Sequence, residues 1–546
     1  MVKKIFSVFL CISVLISVSV SCNKATPNDV PPVVSTESVS VSSNKATPND
    51  VPPVVSTDVD KFTVPDNLMT IEEYHNEIGK LLSLNNFSIA DTTLIDKLGD
   101  RLYESIHYNM DDIKDAEGTI YYVAKSGNDE NDGKTPETAW ATLDKVNSSV
   151  LKNGDAVLFN RGDGWRGYLY AKSGVSYGAY GKGPKPIISF SFDAKNYAEW
   201  VETDTPNVWK LNKRLLPTIA SDVGTMLFNG AESYATLTDL SKLNTNIKFA
   251  YSGKFSKEAK KDNYIYLYCD KGNPKDVYES IEVTLAGKSV IHMENGTHDV
   301  VLNNIQFCGG SGIFFATSLS NIKMSYCQAY WCGGNRSGSE GIRFGGGSGA
   351  WFGCDGIYYE NCHIAQQFDS GVTPQFAQSI VDSPSIFKNF VVKDCLFEYC
   401  EYTLEYFNTQ RNFDNNRYEN MYFGYNFCRY GGQGFGDKPK QSRYIRSGSH
   451  ENVCINSKIE YNIFDRALSY CLEVVGYGQL KIGESGGKSY LPFEQMPRFN
   501  SNIYIHGKND KFAIINNNTY NFNETTYNEL QNNGFETGAK YFYTPK

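Results

Sequence analysis

The sequence predicts an all-β solenoid, a chain wound into successive turns of about thirty residues built from short strands. Three observations carry this reading. One series of strand-like pieces, Val301–Phe307, Met324–Tyr330, Tyr359–Ile364, Val392–Phe397, Phe423–Cys428 and Ile459–Phe464, superposes Asn304, Cys327, Cys362, Cys395, Asn426 and Asn462 at separations of 23, 35, 33, 31 and 36. A second series, GIFF, GIRF, GVTP, TLEY, QGFG and CLEV, centred on Phe314, Arg343, Thr373, Glu405, Phe435 and Glu473, recurs at 29, 30, 32, 30 and 38. Two series with one shared period mean stacked turns, because a single turn buries its apolar side chains only against its neighbours. Finally, 546 residues exceed one compact domain and suit an elongated repeat body.

In chain order, residues 1–22 read as an export signal: Lys3 and Lys4, an apolar run from Ile5 to Val20, then Ser19 and Ser21 just before Cys22. The run is short for a membrane-spanning helix. A cysteine in this position resembles a bacterial lipoprotein signal, which implies acylation of Cys22 and a membrane or cell-surface location. Residues 23–60 follow as a tether. Asn23–Thr36 and Asn44–Thr57 are identical, and their Pro, Ser, Thr and Val content has no packable face.

Residues 61–118 switch to apolar spacings of three and four behind Thr70 and behind Thr92 or Thr93 as N-caps. This helical segment is expected to pack on the end of the body and cover an open edge.

At residue 119 the period becomes two. The runs YYVAKSGNDENDG, AWATLDKV, NGDAVLFNRGDGWRG and GKGPKPII, between Tyr121 and Ile188, resemble the opening segment of extracellular right-handed parallel β-helix proteins of the pectate-lyase-like superfamily, which includes β-helix glycoside hydrolases. The resemblance implies that fold and a polysaccharide or oligosaccharide as partner. It covers residues 119–192, the opening segment. Residues 193–290 read as early turns or an inserted β subdomain, 291–520 as the β-helix body and 521–546 as a C-terminal tail. A monomer is expected.

Composition narrows the function. The net charge of −9 without a basic block argues against nucleic acid as a partner. The 37 Tyr, 32 Phe and 6 Trp provide many aromatic faces of the kind on which sugars stack. Neither a nucleophile motif, a zinc spacing nor a dinucleotide fingerprint occurs, and Gly345–Gly353 lacks a phosphate-binding pattern. No cofactor or metal is expected. Calcium on Asn128, Asp129, Asn131 and Asp132 is the weaker alternative to a turn, and Arg161-Gly162-Asp163 beside Trp165 is expected to be a tight turn. Cys327, Cys362 and Cys395 read as an inward ladder.

The second series marks a face whose outward side chains could line a groove. Glycoside hydrolysis needs one carboxyl protonated and a second ionised. Asp369 and Glu405, with Glu401 beside them, are the catalytic candidates, and Glu473 two turns on is the bystander. Arg343, Gln375, Tyr406, Arg429, Gln433, Trp331, Trp351 and His450 are the substrate-binding candidates. Trp331 and Trp351 belong to a stacking platform with Tyr330 and Phe352. The competing reading of these charges is a set of ordinary surface ion pairs. A lyase or epimerase using His450 with Arg443 and Arg446, read as a loop, ranks second to the hydrolase. A non-catalytic glycan-binding protein is the third reading.

Overall fold

The computed structural model describes residues 62–214, 222–233, 243–244, 249–251, 264–337, 342–376, 385–408, 416–434, 442–447, 452–475, 493–516 and 518–545. The signal, Cys22, the whole of the tether, His450 and Phe435 lie outside these residues. Among the described residues no helix is long and apolar enough to cross a membrane.

Three sheets of mostly parallel strands form the walls of a parallel β-helix. The first runs from Ile120–Val123 through Ala156–Asn160, Ser176–Tyr180, His298–Asn303, Ser320–Ser325, Asp355–Glu360, Ile386–Lys393, Tyr422–Gly424 and Lys458–Glu460 to Arg498–Asn500. The second includes Ile187–Asp193, Gln306–Gly309, Gln328–Tyr330, His363–Ala365, Leu396–Glu398, Phe427–Arg429, Ile463–Asp465, Ile503–His506 and Lys540–Tyr543. The third contains Phe315–Thr317, Ser348–Trp351, Ser370–Phe376, Tyr402–Glu405, Arg443–Arg446, Leu472–Val474 and Lys511–Ile515. Each turn visits the three in order, and their inward side chains merge into one core containing Val300, Leu302, Phe307, Ile364, Val372, Leu404 and Phe464.

The corner between the first and second sheets follows one rule. Asn304, Tyr326, Asn361, Asp394, Tyr425, Tyr461 and Ser501 take φ between 50 and 60°. The next residue then points inward, giving the stack Ile305, Cys327, Cys362, Cys395, Asn426, Asn462 and Asn502. The cysteines thus form the expected ladder, but Asn304 sits one residue early, at the left-handed corner, and Ile305 holds the ladder position. Asparagine tolerates that backbone better than most residues, which suits it to the corner, and at the inward position it serves through its amide instead. Within the ladder, the Cys395 backbone N–H donates to Asn426 Oδ1 at 3.1 Å, that of Asn426 to Asn462 Oδ1 at 3.0 Å and that of Asn462 to Asn502 Oδ1 at 3.0 Å. The amide groups donate back to Val392 and Phe423 carbonyls, both at 3.0 Å. The eleven described cysteines are buried free thiols.

Residues 71–107 form helices α1 (Ile71–Ser83) and α2 (Thr92–His107). Thr70 caps α1 as expected, and Asp91 rather than a threonine caps α2. The pair does not cover an end of the solenoid. Tyr74, Ile78, Leu81, Ile95, Leu98, Leu102 and Ile106 pack on Leu396, Phe427, Ile463, Ile503, Ile505 and Phe542, on the second sheet's outer face. Those outward positions are apolar in the later turns, and burying each large side chain gains about 1.5–3 kcal/mol.

Between residues 193 and 290 the described strands that follow Ile187–Asp193 pair in antiparallel fashion and add no parallel turn. Asp222–Phe228, Ala231–Ser233 and Ile281–Ala286 extend the second sheet in antiparallel fashion, while Trp200–Glu202, Val208–Leu211, Phe249–Tyr251 and Ile265–Tyr268 form a separate antiparallel sheet. Residues 521–546, expected as a tail, instead hold a helix, Glu524–Asn532, and the last strand of the second sheet. Arg161-Gly162-Asp163 is a turn with Gly162 at φ 82° and Arg161 buried against Asp112. The candidate calcium oxygens are used by the turn itself: Asp129 accepts from Ala141 and Thr142, and Asp132 from Lys134 and Thr138. Among the described residues no group of three or more His, Cys, Asp or Glu is placed to hold a metal.

Glu536 ends the asparagine ladder, accepting from Asn502 Nδ2 at 3.3 and 3.1 Å and from the Tyr504 hydroxyl. Burial pushes its carboxyl up to about 7, against the opposing pull of these donors. Above the ordinary glutamate value and up to about 7 the folded protein therefore keeps a proton that the unfolded chain has released. This group's contribution to stability is present below pH 4.5 and is lost as the pH rises through 7. The urea midpoint of Glu536→Gln should therefore change less between pH 5 and 8 than that of the wild type, and equal changes in the two proteins would contradict the assignment.

Candidate functional site

The third sheet presents its outer face free of the α1–α2 cover, and the charged candidates gather there. Strand pairing sets Val372, Leu404, Ile445 and Leu472 side by side in the core. The next residue of each strand points outward, giving the column Thr373, Glu405, Arg446 and Glu473.

Glu405 is only 4% exposed although it faces outward. Its Oε2 accepts from Ser370 Oγ at 2.7 Å and from Gln375 Nε2 at 3.3 Å, and its Oε1 is ion-paired with Arg446 Nη1. Donors on both oxygens suit an acceptor-only carboxylate. Arg446 stands between two carboxylates, with Nε 3.8 Å from Glu473 Oε2, and lies over the Tyr402 ring at 4.6 Å. Burial pulls the Arg446 guanidinium down, but Glu405, Tyr402, Glu473 and Asp369 more than offset this and hold it firmly charged. Arg443 Nε lies 2.5 Å from Glu473, and the guanidinium sits over Tyr470 at 5.0 Å. Burial raises the Tyr402 hydroxyl, opposed by Arg446 and helped by Glu401, Asp369 and Glu405. These acids therefore share one electrostatic neighbourhood.

The register changes which carboxylates face each other. Ser370 pairs with Tyr402, so Asp369 stands opposite Glu401 at the strand entrance, and Thr373 rather than Asp369 stands opposite Glu405. Glu401 and Glu405 are four residues apart along the chain, up to about 13 Å between backbones if fully extended.

The substrate-binding candidates divide. Gln375 and the half-buried Trp351 lie in register on the third sheet, beside the Glu405 cluster. Arg429 does not. It lies on the second sheet beneath α2, pairing with Glu398 at 2.6 Å and Asp100 at 2.8 Å. Burial would raise the Glu398 carboxyl, but Arg429 and His363 pull it down to about 2. This network fastens the helical cover.

Gln433 likewise lies beyond the second sheet and donates to the Arg466 carbonyl at 3.0 Å. Trp331 is fully buried among Leu227, Cys308, Tyr330, Ala365 and Phe368 and offers no stacking face. Tyr406 points into the core, edge-on to Tyr418 at 5.9 Å. The strand carrying Arg343, Ile342–Phe344, forms an antiparallel hairpin with Asn335–Ser337 instead of a solenoid turn, and the Arg343 side chain is outside the described set.

Two positions of the second series therefore belong to other segments. Ser348–Trp351 replaces the turn assigned to Arg343, and Arg443–Arg446, read as a loop, replaces that assigned to Phe435. Glu473 stands two turns on from Glu405, where it is paired with Arg443. The alternation in Arg443-Tyr444-Ile445-Arg446 was the available signal, and the more regular spacing of the Gly-rich segments outweighed it.

No family model matches the chain, and no curated protein matches it. Among solved structures, one described as a glycoside hydrolase aligns over 79% of this chain and 97% of its own, at 8% identity and a TM-score of 0.42. XylC in complex with xylose aligns over 73% and 86%, at 12% and 0.38. A rhamnogalacturonan lyase aligns over 72% and 77%, at 13% and 0.27. At these identities and scores the likeness carries nothing about activity.

Because Glu405 is enclosed, losing Arg446 leaves a buried charge without its main partner. Arg446→Gln should lower stability by about 1–3 kcal/mol in urea titrations. Adding Glu405→Gln should restore part of that loss, and strictly additive effects in the double-mutant cycle would show that the two side chains are not coupled.

Proposed function

We propose that this protein is an exported, surface-anchored carbohydrate-active enzyme that hydrolyses glycosidic bonds of a polysaccharide or oligosaccharide. The observation that carries the reading is the enclosed, outward-facing Glu405, held by Arg446, Ser370 and Gln375 within a cluster that also contains Asp369, Glu401 and Glu473. Ordinary surface ion pairs are solvated and weak, whereas enclosing a carboxylate costs solvation that a functional site can use.

In this reading Glu405 is the ionised carboxylate that activates water, and Asp369, with Glu401 beside it, supplies the proton to the leaving oxygen. The offset along the strand favours the wider carboxyl spacing of an inverting enzyme, roughly 6.5–9.5 Å, over the closer spacing of a retaining one. No metal or cofactor is assigned a role.

A lyase acting on a uronate is the second reading, and one observation favours it. Among the described residues Arg443 Nη1 is buried without a hydrogen-bond partner, beside Arg446, and a substrate carboxylate would satisfy it. The purified protein should be screened on a polysaccharide panel for reducing ends and for the ultraviolet absorbance of unsaturated uronates. Reducing ends alone support hydrolysis, new absorbance transfers the assignment to elimination, and binding without either leaves a glycan-binding protein. On a cleaved substrate, Glu405→Gln should lower turnover by about a hundred- to ten-thousand-fold while leaving the fold intact. Full activity of that variant would remove Glu405 from the reaction.

The anchoring half rests on the Lys3–Val20 signal and the duplicated tether. Cys22→Ala should move the protein from the membrane to the soluble fraction, and unchanged fractionation would rule out a lipid on Cys22.

A further inference from the structure

The outward column of the third sheet continues beyond its charged end. Toward the N-terminal turns, Thr373 is followed by Gly349 and Phe315, then His292 and Tyr170, with Trp351 alongside next to Gln375. Phe315 and Trp351 are half-buried with ring centroids 5.5 Å apart, and the rings of Tyr170 and His292 lie 5.2 Å apart. A Cβ on Gly349 would stand 2.0 Å from Phe315 Cδ1, and one on Gly312 would stand 2.5 Å from Phe315 Cε2. The Phe315 ring therefore lies down across the backbone of the next turn, and two glycines make room for it. Between Thr373 and His292 the column carries no ionised group.

Glu405 and His292 are four turns apart, about 19 Å at the usual spacing of neighbouring strands. That length takes several sugar rings in a row. Recumbent aromatic rings offer the flat apolar faces on which the C–H sides of sugars rest, and the uncharged stretch from Thr373 to Phe315 suits a neutral chain. At the far end Tyr170 donates to Glu294, and Lys172 lies over the Tyr170 ring.

We propose that Trp351 and Phe315, continued by His292 and Tyr170, form a binding track for a neutral glycan laid along the solenoid axis and leading away from Glu405. This rests on the reading of the Glu405 cluster as a glycan-active centre and specifies the substrate class and its direction. The track extends the site beyond the residues that carry charge. It also assigns Gly349 a role, because any side chain there displaces Phe315.

The test uses Glu405→Gln protein, to suppress turnover, in native gels containing xylan, mannan, galactan, arabinan or mixed-linkage glucan. At least one neutral polymer should retard it. Adding Phe315→Ala or Trp351→Ala should abolish the retardation, while Phe315→Tyr should preserve it. In titrations with the hexasaccharide of that polymer, each alanine variant should bind about ten-fold more weakly, and with the disaccharide less than about two-fold. Unchanged thermal midpoints confirm that the variants are folded, and Gly349→Ser, which keeps the ring but displaces it, serves if an alanine variant unfolds. Retardation by none of the polymers, or equal retardation of the alanine variants, overturns the track. A track that binds while the wild type cleaves nothing leaves this proposal standing and removes the hydrolase reading. Cleavage with binding unaffected by Phe315 or Trp351 does the reverse.

Discussion

No turn of this solenoid can hold its shape alone, and the hydrogen bonds passed from turn to turn at the corner between the first and second sheets are what fix one turn upon the next. At that corner a left-handed residue frees a backbone N–H, and the inward side chain of the following turn accepts from it, a sulfur from Cys395 to Cys362 at 3.3 Å and amide oxygens further on. A buried N–H left without a partner costs about as much as a lost hydrogen bond, so each rung depends on having the right side chain in the next. In the last turn Ala539 stands opposite Asn502 and its side chain offers no acceptor, and Glu536 accepts from the Asn502 amide instead.

Once the turns are in register, each sheet has a single outer face, and their fates differ. The second sheet presents Leu396, Phe427, Ile463 and Ile503 outward and must be covered, which α1 and α2 do. Polar links from Arg429 to Asp100 and from His75 to Asp394 add direction to that apolar contact. The third sheet carries charged and half-buried aromatic residues outward, so stacking places Glu405, Arg446 and Glu473 one rung apart. Charges of alternating sign at that spacing hold one another in place, and together they lessen the solvation cost of enclosing Glu405. The same stacking that builds the core thus also builds the site.

The fold was legible in the sequence because the core repeats. Cys327, Cys362, Cys395, Asn426 and Asn462 share one inward position, and a periodic position survives loops of unequal length. The runs between Tyr121 and Ile188 pointed to the opening turns, and Thr70 to the start of α1. The outward position of Glu405 was also legible, since its strand alternates and Leu404 points to the core.

What only the tertiary structure decided lies in the loops and in the choice between faces. Connections between the second and third sheets vary in length, so the Arg343 segment kept the period yet forms a hairpin, while Arg443–Arg446 broke the period and forms a strand of the third sheet. Asn304 fell one residue out because asparagine suits both the corner and the ladder, and side-chain type alone cannot separate adjacent positions. Trp331, Tyr406 and Arg429 resemble groove residues in composition, yet they face the inserted strands, the core and α2 respectively. Alternation along a strand says which residues share a side. Which side is buried, and against what, is settled only when distant segments come into contact, and here it is what sets Arg446 between Glu405 and Glu473 and leaves Asp369 opposite Glu401.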